Sequence, residues 1–283
     1  MNTFKTALLL TAMTLILLLI GQAFGGQRGM TLALIFAVLM NGVAYFFSDK
    51  IAIASSGAQP VAREQAPRLY QIVERLCGKA NLPMPKLFVI PEAAPNAFAT
   101  GRNPQHASVA VTEGLLQIMN DDEIEGVLAH ELSHVSNYDI LTSSVAATIA
   151  GAITWLAHMG RFVMIFGGGG RDNDRGGGGL SALLMLILAP FAALIVQLWI
   201  SRTREFEADA SGVRMVGHPY GLISALEKLG AYNKRIPMET SPTTSHLFIV
   251  APLSAGSVMM NLFSTHPKLE DRIAALKSMV VTR

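Results

Sequence analysis

Between Lys5 and Asp49 the chain carries a single charged side chain, Arg28. A bilayer core about 30 Å thick is crossed by roughly 20 uncharged helical residues, so such gaps constrain the fold more than any motif does. Four gaps reach that length: Thr6 to Gln27, Gly29 to Ser48, Ile140 to Gly160 with only His158 interrupting, and Leu180 to Ser201. The first two, separated by Arg28 alone, read as a membrane hairpin over residues 1–48. A cleaved signal peptide is the competing reading of the first gap, since Lys5 precedes the apolar run and Ala23 and Gly25 are small. The run is long for a signal sequence, and a second apolar run follows it directly.

The third and fourth gaps form a second hydrophobic pair over 140–201. They are joined by a Gly-rich stretch, Gly167 to Gly179, whose composition suits a flexible solvated linker. Two polar segments remain, 49–139 and 202–283, with 7 and 10 Lys plus Arg, against one in the first hairpin loop and three in the second. Positive residues near membrane spans stay cytoplasmic, so both segments and the N-terminus are expected on the cytoplasmic side. The fold class expected is a mainly α integral membrane protein with two hydrophobic helical pairs and a cytoplasmic α+β domain split between the polar segments.

Composition agrees: 51% of the residues are hydrophobic and 15% charged, against roughly 25% charged in an average soluble domain. A net charge of +2 is too small for a nucleic-acid footprint. The single cysteine, Cys77, cannot form an intramolecular disulfide and reads as a small buried hydrophobe.

Within the first polar segment, Leu69, Ile72, Val73 and Leu76 recur at helical spacing after Pro67, and Gly78, Asn81 and Pro83 supply the stop. Residues 86–90 read as a strand, and 96–100 and 108–112 as a hairpin. Asp121, Asp122 and Glu123 open a helix at its positive dipole end, and that helix runs on through His134. The second polar segment reads as helical near 205–215, 220–229 and 267–279. The apolar stretch 247–263, interrupted by Pro252 and Asn261, reads as buried loop and short helix.

The helix begun at Asp121 carries His130-Glu131-Leu132-Ser133-His134. Residues four apart share a helical face, so both imidazoles can reach one zinc ion while Glu131 leans to its open side as a general base. With this content of His and Glu, chance supplies only about 0.007 copies of such a motif. A third ligand is needed. Glu205 in Arg202 to Ala210 is a candidate, with Asp209 one turn on to orient a ligand histidine. Read alone, that stretch is equally a solvated helix surface bearing Arg204, Glu205, Glu207 and Asp209.

These residues together resemble the HtpX-type membrane zinc metalloproteases, relatives of the CAAX prenyl proteases. The likeness rests on the order of an N-terminal hydrophobic hairpin, PNAFATG at 95–101, HELSH at 130–134, a second hydrophobic pair, SRTREFEAD at 201–209 and STHPKLEDRIAAL at 264–276. It implies a zincin-like domain holding one Zn2+ on His130, His134 and Glu205, with Glu131 catalytic and Asp209 supporting a ligand. It also implies that Asn96 and His266 lie near the metal and help hold substrate or the oxyanion. The strand hairpin would offer an edge to an extended peptide. The partners implied are polypeptides, chiefly misfolded or unassembled membrane proteins, and the lipid bilayer of the inner membrane. A prenyl-protein protease and a non-catalytic membrane scaffold are the alternatives.

Overall fold

The computed structural model describes residues 2–145, 202–233, 248–249 and 267–281. The chain begins with α1 (Asn2–Ser55), two helical legs broken at Gly26, whose φ of 55° and ψ of −144° suit glycine alone. The legs fold back on each other. Asn41 on the second donates from Nδ2 to Thr14 Oγ1 (2.9 Å) and Leu10 O (3.3 Å) on the first. Gly21 lets them touch: a Cβ there would lie 2.5 Å from Gly29 O.

Among the described residues one helical stretch, Gly25–Ser55, is long and apolar enough to cross a bilayer, and Thr6–Leu19 is a shorter apolar stretch. Leu32, Ile35, Leu39 and Phe46 project outward from the second leg with large exposed areas, as lipid-facing side chains do. The second hydrophobic pair, the Gly-rich linker and His266 fall outside the described residues, except for helical residues 139–145 at the start of the third run. The stretch 247–263 is described only at Phe248 and Ile249, both buried.

Beyond α1 come β1 (Gln59–Pro60), α2 (Pro67–Ala80), β2 (Lys86–Ile90), β3 (Ala97–Gly101), a short 3-10 turn (Pro104–His106) and β4 (Ala107–Thr112). Then follow α3 (Glu113–Ile118), α4 (Asp121–Ser136), α5 (Arg202–Val216), α6 (Tyr220–Asn233) and α7 (Leu269–Val281). The architecture is mostly helical with a small mixed sheet. Asn81 ends α2 in the left-handed conformation (φ 53°), the C-terminal stop that Gly78, Asn81 and Pro83 foretell. The four strands lie in the order β1-β2-β4-β3. β3 and β4 form the antiparallel hairpin, whereas β2 joins β4 in parallel, with α2 buried against the sheet. β3 is therefore an edge strand.

α4 is the hub of the domain. Its Ile124, Val127, Leu128 and Leu132 are buried with Leu69, Ile72 and Leu76 of α2, Leu226 of α6 and Leu276 of α7. Asn120 and Glu123 close its N-terminus as a capping box. Arg75 and Lys79 of α2 pair with Glu125, binding the two helices at their polar rim. Cys77 is buried in the same core, and burial pushes its thiol up to about 11, leaving it an inert hydrophobe.

Burial works to raise the Glu123 carboxyl, but hydrogen bonds from Lys228 and Ser224 of α6 and from the Asn120 amide outweigh it and hold the group below its ordinary value of 4.5. A depressed carboxylate stabilises the fold above its unfolded value, and that contribution is lost as pH falls through the folded value. The expected result is that Glu123→Gln melts below wild type at neutral pH and that the gap closes as the pH drops beneath 4.5. A constant gap from pH 7 to pH 3 would refute the charge assignment.

Candidate metal centre

The site is assembled by α4 and α5, which pack against each other along most of their length. Gly212 permits the approach, because a Cβ there would lie 3.1 Å from the His130 backbone nitrogen. Two turns earlier on α5, Glu205 faces the pair of histidines. His130 Nε2 and His134 Nε2 are 3.2 Å apart, and Glu205 reaches to 3.6 Å from each, through Oε2 and Oε1 respectively. The ligand atoms of these three residues all lie within 4.8 Å of one another.

Tetrahedral bonds of about 2.0–2.1 Å place neighbouring donors about 3.3–3.4 Å apart; the two imidazole nitrogens, 3.2 Å apart, match that spacing, and each has one oxygen of the Glu205 carboxylate 3.6 Å away. The donor set, two imidazoles and one carboxylate, is that of a catalytic zinc site with a coordination position left open. Among the described residues it is the one His/Cys/Asp/Glu group with metal-holding geometry.

Each imidazole turns its other nitrogen to a carboxylate. His130 Nδ1 lies 2.7 Å from Asp209 Oδ1, and His134 Nδ1 lies 3.3 Å from Asp139 Oδ2. Such pairs fix the tautomer and aim Nε2 at the metal position. Burial and Arg272 disfavour a charged His130, but Asp209 and Glu205 outweigh them and raise its value to about 9 in the absence of a metal. Asp209 is itself held down to about 2: burial opposes this, and Arg272 and His130 overcome it.

Glu131 is buried on the face between α4 and β3. Burial pushes its carboxyl up, the two histidines pull it down, Glu205 pushes it further up, and the Ala99 amide donates to it, leaving a net rise. A carboxyl raised in this way is a stronger base than an ordinary glutamate, as proton transfer requires.

The structure thus brings together His130, Glu131, His134, Glu205 and Asp209. Asn96 is buried at the start of β3, where its Oδ1 accepts from the Ala97 amide and its backbone nitrogen donates to Thr112 Oγ1. Three participants were not anticipated from sequence. Asp139 follows His134 by five residues, across a turn where Tyr138 takes a positive φ of 60°. Arg204 pairs with Asp139 at 3.6 Å. Arg272 reaches Asp209 from the far C-terminal helix.

A family model described as Peptidase family M48 matches residues 63–280, which include all of these groups. The chain belongs to peptidase family M48. As an M48 member it is a metalloprotease, and its relatives place it among the membrane proteases. It is 55% identical to a protein described as "Protease HtpX homolog" in Desulforapulum autotrophicum, over 98% of this chain and 89% of the relative. It is 57% identical to a protein of the same description in Desulfatibacillum aliphaticivorans, over 97% of this chain and 89% of the relative. Among solved structures, "Crystal Structure of S. mikatae Ste24p" resembles it with a TM-score of 0.55 at 19% identity, over 97% of this chain and 64% of that one. That likeness is one of fold, and this chain spans about two-thirds of the neighbour's length.

Proposed function

We propose that the chain is a zinc endopeptidase anchored in the inner membrane, its active site on the cytoplasmic side, that degrades misfolded or unassembled membrane proteins. The observation that carries the reading is the convergence of His130, His134 and Glu205 with the buried Glu131 beside them. Bound there, a zinc ion supplies a Lewis acid for the scissile carbonyl and brings the ionisation of water close to neutral pH. Glu131 takes the proton of the attacking water on its carboxylate and passes it to the departing amine. Asp209 and Asp139 keep both imidazoles oriented by holding their Nδ1 atoms.

β3 is an edge strand next to Glu131, so an extended polypeptide can add to it through main-chain hydrogen bonds. Recognition of backbone more than side chains favours unfolded substrates of many sequences. Asn96 and His266 are assigned supporting roles toward substrate or transition-state charge on the family resemblance. The membrane placement is supported by the apolar stretch Gly25–Ser55, and the cytoplasmic orientation by the positive residues of 49–139 and 202–283.

The test is metal removal and return. Chelator-stripped protein in detergent should lose cleavage of an unfolded membrane polypeptide, bind about one zinc per chain through His130, His134 and Glu205, and recover activity in parallel. Failure to bind zinc, or cleavage undiminished without it, would overturn the proposal.

A further inference from the structure

Arg272 is fully buried, 0% exposed, although it carries a permanent charge. A guanidinium in that position is costly unless each donor finds an acceptor. Its Nε donates to Asp209 Oδ2 (2.8 Å) and its Nη2 to Asp209 Oδ1 (2.6 Å), a two-pronged pair. Its Nη1 donates to the Ile249 carbonyl (3.0 Å) and lies 3.6 Å from Glu205 Oε2. Asp209 Oδ1 is the same atom that meets His130 Nδ1.

Ile249 faces a second element of the site. Its amide donates to Ala97 O at 3.0 Å. The carbonyl of Asn96 is already turned inward, accepting from Thr112 of β4. Carbonyls alternate sides along a strand, so Ala97 O points from the outer edge of β3. Ala99, two residues on, shares that edge and gives its amide to Glu131. Ile249 therefore caps the peptide-accepting edge about 7 Å along the strand from Ala99. Phe248 secures it, its ring edge-on to Phe98 with centroids 5.2 Å apart.

We propose that Arg272 is a positioning residue that links the end of the peptide-binding edge strand, through Ile249, to the orientation of the metal ligand His130, through Asp209. One side chain holds the strap on β3 and the carboxylate behind the histidine, so displacement at one end is felt at the other. The inference rests on the metal reading given above. Lysine at 272 keeps the charge but has no fork with which to grip Asp209 and Ile249 together.

The experiment measures zinc affinity by chelator competition, melting of the metal-free protein, and kcat and KM on an unfolded polypeptide at saturating zinc. For Arg272→Lys the expected result is a 10- to 100-fold loss of zinc affinity, about the range for removing a partner of a ligand, together with a raised KM. Adding Asp209→Asn to Arg272→Lys should cost little further affinity, since both changes break one connection. Ile249→Pro removes the amide that pairs with Ala97 together with the buried isoleucine side chain and keeps a carbonyl at 249, and Ile249→Ala, which loses the side chain but keeps the amide, is measured beside it as the control for core loss. The proline variant too should weaken zinc binding several-fold, although residue 249 touches no ligand, and it decides the matter if Arg272→Lys does not fold. Wild-type zinc affinity in Arg272→Lys or in Ile249→Pro, or losses that simply add in the double variant, would overturn the linkage. A wild-type protein that binds no zinc would instead overturn the metal reading on which it rests.

Discussion

Glu131→Gln is expected to bind zinc at the wild-type level and to cleave polypeptide about 10²- to 10⁴-fold more slowly, the usual contribution of a positioned acid-base group. Glutamine has the shape of the carboxyl but cannot carry the proton from water to the amine. It also cannot ionise, and the native carboxylate is disfavoured by its own burial and by Glu205. The metal-free variant should therefore melt no lower than wild type. That combination, stable and metal-loaded but inactive, separates the base from the ligands. Retention of more than a tenth of wild-type kcat/KM would mean that another group moves the proton. Loss of zinc would mean that Glu131 belongs to the ligand set.

The second large effect is on stability, where α4 meets α6. A Cβ on Gly126 would lie 2.5 Å from the backbone nitrogen of Leu222, and one on Gly221 of the facing element 2.1 Å from the Asp122 carbonyl oxygen. Backbone presses on backbone, so no flexible side chain can move aside. Gly126→Val should destabilise the domain by about 3 kcal/mol or more, the upper end for overpacking. It should also impair zinc binding, because residue 126 lies one turn before His130 on the same helix. Gly78→Ala is the opposite case. That position is helical and open, with nothing within 4 Å of the added Cβ, and alanine there should stabilise by about 0.5–1 kcal/mol through backbone entropy alone. Paired melting curves check both. A Gly126→Val protein as stable as wild type would show that α4 and α6 do not approach so closely.

What was legible in the sequence was local. The capped α2, the hairpin of β3 and β4 and the run of α4 through His134 each follow from spacing and end signals within a dozen residues. So does the pairing of His130 with His134, since one helical turn fixes it. Glu205 and Asp209 were legible as a helical pair and as a candidate ligand and its neighbour, but their place beside α4 rested on the family resemblance, because nothing in RTREFEADA distinguishes a buried face from a solvated one. The parallel pairing of β2 with β4 depends on how the hairpin folds over the sheet. Arg272 was the hardest: a lone arginine in an amphipathic helix reads as a surface charge, and only the carboxylate 63 positions away shows otherwise. Asp139 had the right distance from His134, but the turn through Tyr138 that swings it back has no strong signature.

The break of α1 at Gly26 bears on how the protein is made. With the reversal completed at one glycine, the two legs leave no polar loop between them, and Gln27 and Arg28 form the tip. Were both legs to enter the bilayer, as the sequence leads one to expect, they would enter as one hydrophobic plug, and the only full charge carried to the far side would be Arg28. An arginine at mid-membrane costs about 2.5–3.5 kcal/mol, whereas each leucine, isoleucine, phenylalanine or valine returns about 0.3–0.6. The surrounding leucines and isoleucines more than offset that passage. On that balance the hairpin would be favoured in the bilayer while the catalytic half is still being synthesised behind it.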